Sequence, residues 1–316
     1  MKRIAQQSAL FGACLIVFYA VNVWVINRLY ISGKRAACWV NPQFSAVGGQ
    51  DFQVTHQWDS SAFYDVVVAG SSHAYRGYDP RIFAQHGLHL FTIGTGYQNA
   101  LASYVLLKND CRLKPGSLLI VDLYDNTFTG DGMGCFSRLI PNAASETTAR
   151  EFLLRVPDLR LMNAYFCYLA TDQGTIETQL KEGYVYNGYS QNLDSAKQTL
   201  DTTAVGDEVY SFRREYLEYL NRIIDLAQSQ QCRVVLASHP VPMSPRNLAF
   251  HQAFCAYLEP LIKQKEVRYL DFSAHNEFDP ANHFMDANHL NQAGVDQYNA
   301  ILLDTLASLQ LISKKS

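Results

Sequence analysis

Along the chain, short unbroken runs of apolar residues alternate with longer segments in which apolar side chains return every three or four positions. The first pattern reads as strands buried on both faces, the second as helices packed on them along one stripe. Apolar runs occupy residues 65–69, 89–93, 117–123, 233–237 and 267–272. Helical spacing fills 98–107, with Leu101, Tyr104, Val105 and Leu107, and 210–228, with Phe212, Tyr216, Leu220, Ile223, Ile224 and Leu226. It returns at 248–263 and 291–309, and Asp79-Pro80 opens a short helix reaching Gln85, because proline suits a first helical turn. Strands and helices in this order predict a flavodoxin-like three-layer α/β/α sandwich with a five-stranded parallel sheet.

Two stretches break the alternation. Residues 36–64 carry Asn41-Pro42 and Gly48-Gly49 and read as an irregular juxtamembrane lead-in. From 127 to 206 the pattern lapses, leaving one expected helix at 149–170 and a tyrosine cluster, Tyr184, Tyr186 and Tyr189, among glycines and asparagines. An insertion of this kind reads as a cap or a binding surface.

Ahead of these lies an apolar stretch, residues 8–30, with no charge before Arg28 and with Trp24 and Tyr30 towards its end. Its length is enough to cross a bilayer, and no small-x-small cleavage site follows it, so an uncleaved single-pass anchor is expected. The expected organisation is a cytoplasmic tail and anchor at 1–35, the lead-in at 36–64, and one domain at 65–316 containing the insertion. Lys2 and Arg3 before the span balance Arg28, Lys34 and Arg35 after it, so charge alone does not choose the side. A net charge of −3 and a pI near 6.3 supply no basic field, which excludes nucleic acid as a partner. None of the seven cysteines has Cys-x-x-Cys or metal-finger spacing, so neither a metal nor another cofactor is expected. For the six beyond the anchor, disulfides and buried free thiols are both open.

The candidate chemistry sits at the two ends of the domain. Val66-Val67-Val68-Ala69 runs into Gly70-Ser71-Ser72-His73, placing a hydroxyl at the carboxyl end of the first strand, where open α/β sheets build their sites. A serine nucleophile needs an imidazole to take its proton and a carboxylate to orient that imidazole. Asp286-Ala287-Asn288-His289 offers both at a spacing of three, so Asp286 can accept from His289 Nδ1. The Gly96 N–H and the Asn126 amide, after the second and third strands, are candidate oxyanion donors. His239, after the fourth strand, and Tyr184 and Tyr186 are candidate substrate contacts. Singly, each has a plainer use: Ser72 as a helix cap, Asp286 as a turn residue, His289 as a packed histidine, and His73 as a structural residue pointing away from the nucleophile.

Gly70-Ser71-Ser72, Gly96, Asn126 and the Asp286-x-x-His289-Leu290 block with Gly294 resemble, in order and spacing, the SGNH/GDSL hydrolase superfamily. Serine stands where the first block usually has aspartate, and Tyr124 where the third usually has glycine. The resemblance covers roughly residues 65–309, outside the insertion. With the anchor, it extends to the membrane-bound branch whose members act in alginate acetylation and teichoic-acid D-alanylation beside a membrane-bound O-acyltransferase. It implies a periplasmic catalytic domain moving an acyl group, acetyl by that analogy, through an acyl-serine onto a carbohydrate of the envelope or a secreted polysaccharide. A carbohydrate or lipid esterase with the same triad and a non-catalytic SGNH-fold scaffold are the open alternatives.

Overall fold

The computed structural model describes residues 2–28, 30–31, 34–35, 47–171, 183–191, 210–273, 275 and 277–312. Five strands, β1 (Val66–Ala69), β2 (Leu90–Thr92), β3 (Leu118–Asp122), β4 (Arg233–Ser238) and β5 (Arg268–Asp271), form one parallel sheet in the order β2-β1-β3-β4-β5. This is the flavodoxin-like order, in which the winding reverses between β1 and β3 and opens a crevice there.

Twelve helices are described. They are α1 (Lys2–Arg28), α2 (Gly49–His56), α3 (Ser72–Gly77), α4 (Pro80–Gln85), α5 (Ala100–Asn109), α6 (Met133–Leu139), α7 (Glu146–Arg155), α8 (Leu159–Ala170), α9 (Arg214–Ser229), α10 (Pro245–Lys265), α11 (Pro280–His283) and α12 (Gln292–Ser308). The period of two along each strand divides them between two cores. Val67, Ala69, Phe91, Leu119 and Val121 face α5, α9 and α10, whose Leu101, Leu220 and Phe254 complete that layer. Val66, Val68, Leu90, Leu118 and Ile120 face the other way, onto Phe83 of α4 and Val295, Tyr298 and Leu302 of α12.

Three local expectations change. The helix expected over 149–170 is two helices, because Pro157 drives Val156 out of helical geometry (φ −127, ψ 78) and Asp158 caps the next helix through the Arg160 N–H. The lead-in is not wholly irregular, since α2 fills residues 49–56; residues 36–46 of it lie outside the described residues. The insertion contributes α6 to α8 to the α5/α9 core, with Phe136, Phe152 and Leu161 buried there.

The tyrosine cluster folds as a tight turn over the edge strand. The Asn187 carbonyl accepts from the Thr92 N–H of β2, Ser190 N–H donates to the Tyr75 carbonyl, and Tyr184 bridges to Ser190. The turn therefore occupies backbone groups that an edge strand would otherwise expose. Gly188, at φ +80, has no room for a side chain, because a Cβ there would collide with the Thr92 carbonyl.

Among the described residues, one helix is long and apolar enough to cross a membrane: Lys2–Asn22 of α1, with mean hydropathy 1.7. Near the end of that segment the Tyr19 hydroxyl donates to Asn163 Oδ1 of α8 at 2.5 Å. Cys14, Cys111, Cys135, Cys232 and Cys255 are free thiols, and Cys167 is disulfide-bonded.

Candidate active site

β1 ends at Ala69, and the chain turns through Gly70 and Ser71 into α3, whose first residue is Ser72. The turn is tight because backbone passes close on every side. A Cβ on Gly70 would lie 2.8 Å from the Asp122 carbonyl oxygen, and one on Gly94 would lie 2.7 Å from the Ser71 carbonyl oxygen. Gly77, closing α3, similarly leaves the space filled by the His239 ring.

His289 arrives from the opposite end of the chain on a turn pinned at both sides. Phe284 and Leu290, both buried, pair across its base, and Met285 N–H donates to the His289 carbonyl at 2.9 Å. Within the turn Asp286 Oδ1 accepts from the backbone N–H groups of Asn288 (3.0 Å) and His289 (2.8 Å). His289 Nδ1 lies 2.9 and 2.8 Å from the two oxygens of Asp286, and His289 Nε2 lies 2.7 Å from Ser72 Oγ. Partial burial opposes the charge on Asp286, but the bonds from His289 and from the Asn288 N–H outweigh it and hold the carboxyl down to about 2. With Asp286 ionised, Nδ1–H donates to it and Nε2 is left to accept from the Ser72 hydroxyl. Ser72, His289 and Asp286 thus form one continuous line, which can deprotonate an alcohol and return the proton to a leaving group.

His73, read from sequence as structural and pointing away from the nucleophile, lies directly behind this line. Its Nε2–H donates 2.7 Å to the Asn288 carbonyl, and Ser71 Oγ lies 3.3 Å from its Nδ1. Its ring centroid is 5.1 Å from those of both His289 and His239. Burial first, then the neighbouring His289, lowers His73 to about 3, so it stays neutral. Tyr124, the departure from the third-block glycine, sits against the other side of His73, ring centroids 4.2 Å apart. Its hydroxyl accepts from Asn126 Nδ2 (2.7 Å) and Asn288 Nδ2 (3.2 Å).

Among the described residues, none of the remaining candidates hydrogen-bonds to this line. His239 is buried and packed between His73, Tyr78 and Tyr298, with burial driving its pKa well down. Tyr184 and Tyr186 belong to the turn over β2; the Tyr184 hydroxyl pairs with Gln57 and with the Gly188 N–H. Gly96 is buried against the Arg138 guanidinium, and Asn126 is exposed with one amide hydrogen on Tyr124. Among the described residues no hydrogen bond links either of them to Ser72. Asn126 instead borders a cleft between Tyr124, Met243, Phe250 and Asn288. Behind the site, Asp122 is buried at the end of β3; burial raises it to about 7, against the opposing Tyr78 hydroxyl that donates to it at 2.7 Å.

No family model matches the chain, and no curated protein matches it. Among solved structures it is similar to a GDSL-like lipase from Bacteroides thetaiotaomicron, at 11% identity and a TM-score of 0.39, over 78% of this chain and 89% of that one. It is also similar to a lipase/acylhydrolase from Enterococcus faecalis, at 10% identity and a TM-score of 0.39, over 79% and 98%. Likeness of this order assigns no activity to the chain.

Proposed function

We propose that the protein is a membrane-anchored serine acyl-transfer enzyme of the SGNH type, with Ser72, His289 and Asp286 as its catalytic residues. The observation that carries the reading is the line from Asp286 through His289 to Ser72, at 2.8 and 2.7 Å, on the carboxyl edge of a parallel sheet. Ser72 Oγ attacks the acyl carbonyl as its proton passes to His289 Nε2. The oxyanion that forms is met by the Ser72 N–H, which has no intrahelical partner at the first position of α3, by the Gly96 N–H, and by the second amide hydrogen of Asn126. His289 returns the proton to the departing oxygen, leaving acyl-Ser72. It then takes a proton from the acceptor hydroxyl, whose oxygen attacks the acyl group, and passes that proton to Ser72 Oγ as the acyl–serine bond breaks, which restores the free enzyme.

The acceptor in this reading is a carbohydrate hydroxyl of an envelope or secreted polysaccharide, and the acyl group is acetyl. The span in α1 supports a membrane location, where a membrane-bound O-acyltransferase would supply the acyl group. The disulfide at Cys167 supports an oxidising, extracytoplasmic compartment for the domain. Ser72 is only partly buried, so water can serve as acceptor, which favours esterase activity as the second reading.

The test is an intact-mass spectrum of the full chain in detergent after treatment with a fluorophosphonate, and separately with an activated acetyl ester. Wild type should gain a single adduct that Ser72→Ala loses while keeping its circular dichroism. No adduct on folded wild type would overturn the catalytic reading in favour of a scaffold. Chasing the acetyl-enzyme with an oligosaccharide separates transfer, which acetylates the sugar, from hydrolysis, which yields only acetate.

A further inference from the structure

At the β4–β5 end of the same sheet edge, a second cluster of donor atoms stands apart from the serine chemistry. His251 and Cys255 lie one turn apart on α10, a spacing that puts both on one face, and Asp271 ends β5 opposite them. His251 Nε2 is 3.2 Å from Asp271 Oδ2 and 3.3 Å from Cys255 Sγ, and one donor atom from each residue lies within 4.8 Å of the others. Ligands held at about 2.0–2.3 Å in a tetrahedron are separated by about 3.3–3.8 Å, so little movement is needed to close around an ion.

The atoms behind these three are arranged to the same end. His251 Nδ1 faces Asp125 Oδ2 at 3.5 Å, the carboxylate–imidazole pairing that fixes the tautomer of a metal-bound histidine. Asp271 Oδ1 is held by the Ser273 hydroxyl (2.6 Å) and N–H (3.0 Å), which leaves Oδ2 turned to the cluster. The Tyr269 hydroxyl stands 3.5 Å from Cys255 Sγ, placed to donate to a thiolate.

We propose that His251 Nε2, Cys255 Sγ and Asp271 Oδ2 bind one divalent transition metal of the zinc class, with a fourth position open to solvent. The mixed nitrogen, sulfur and oxygen set suits such an ion and not calcium or magnesium. Asp271, whose side chain is 40% exposed, provides the entry. Binding forms three coordinate bonds and releases two protons to solvent, one from the Cys255 thiol and one from His251 Nε2, which faces the Asp271 carboxylate before the ion enters. The ion ties α10 to β5 and, through Asp125, to the short 3-10 turn (Asp125–Phe128) that carries Asn126. This inference does not depend on Ser72 being a nucleophile.

The test is a cobalt(II) titration of the chelator-treated full chain in detergent, followed by absorption. Wild type should bind one equivalent with a near-ultraviolet thiolate-to-cobalt band and the intense visible bands of four-coordinate cobalt, and zinc should bleach both. Cys255→Ser should lose the near-ultraviolet band with its circular dichroism intact, His251→Gln should lose most of the affinity, and Cys14→Ser should behave as wild type. Asp125→Asn should keep the band and weaken binding about 10–100-fold. Absence of the band in folded wild type, or its survival in Cys255→Ser, would overturn the site; unchanged affinity in Asp125→Asn would overturn the role given to that carboxylate.

Discussion

Replacing His73 by phenylalanine removes one hydrogen bond behind the proposed reaction centre while keeping most of the volume. The phenyl ring retains the contacts with Tyr124, His239 and His289, but the Asn288 carbonyl loses the donor that now lies 2.7 Å away. A hydrogen bond of this kind contributes about 1 kcal/mol net, and leaving a partly buried acceptor without a partner raises the cost to about 2 kcal/mol. Asn288 keeps its N–H on Asp286 and its amide on Tyr124, so the fold should survive while residues 286–289 gain play. His289 must stay near 2.7 Å from Ser72 Oγ, and a displacement on the order of 1 Å costs on the order of 100-fold in rate. With p-nitrophenyl acetate, kcat and the rate of fluorophosphonate labelling should fall about 10–100-fold, with KM close to wild type. Because burial, and next His289, holds His73 to about 3, it remains a neutral donor, and the ratio of wild-type to variant kcat should be flat from about pH 5 to 8. A variant that loses stability in urea yet keeps wild-type kcat would refute the positioning role.

Two further perturbations test the surroundings. Asp122 has a folded pKa of about 7, above its unfolded value, so the stability tied to its protonated form is full below about pH 4 and is lost as pH rises through about 7. Asp122→Asn should flatten that fall by as much as about 4 kcal/mol, read from urea midpoints at the two ends of the range; identical pH profiles would count against it. Gly188→Ala should destabilise the protein by about 2–4 kcal/mol, since φ is +80 and the methyl would meet the Thr92 carbonyl. An unchanged denaturation midpoint would show that the turn over β2 contributes nothing to stability.

The sheet was legible because each core strand announces itself as an apolar run bounded by Gly, Pro or polar residues, and the order of strands and helices leaves few topologies. The chain also discloses the Ser72, His289 and Asp286 constellation, because each of its two motifs is local. What it hides is lateral. Nothing near His73 in sequence says that its ring reaches Asn288, 215 residues away, or that Tyr124 would span the same gap. The packing of His239 is hidden in the same way: it follows β4 at the open edge, but its side chain lies under α3, in space that Gly77 vacates. The seating of the tyrosine turn on β2 was not legible, because that pairing is tertiary and leaves no local periodicity. His251 and Cys255 show helical spacing, yet without Asp271 from the next strand they form no metal motif, which is why cysteine spacing pointed to none.

Around the proposed nucleophile, the missing methyl groups constrain the chain as much as the side chains of the Ser72–His289–Asp286 line do. At Gly70, Gly77 and Gly94 a single added carbon would strike Asp122, His239 or the Ser71 carbonyl respectively. A lineage carrying this fold can therefore exchange most of its surface and much of its core while the site survives, but it has almost no freedom at these three positions. In a saturation library their tolerance profile should resemble that of the triad when scored for activity, and should part from it when scored for folded abundance, where Ser72 variants persist and the glycine variants vanish.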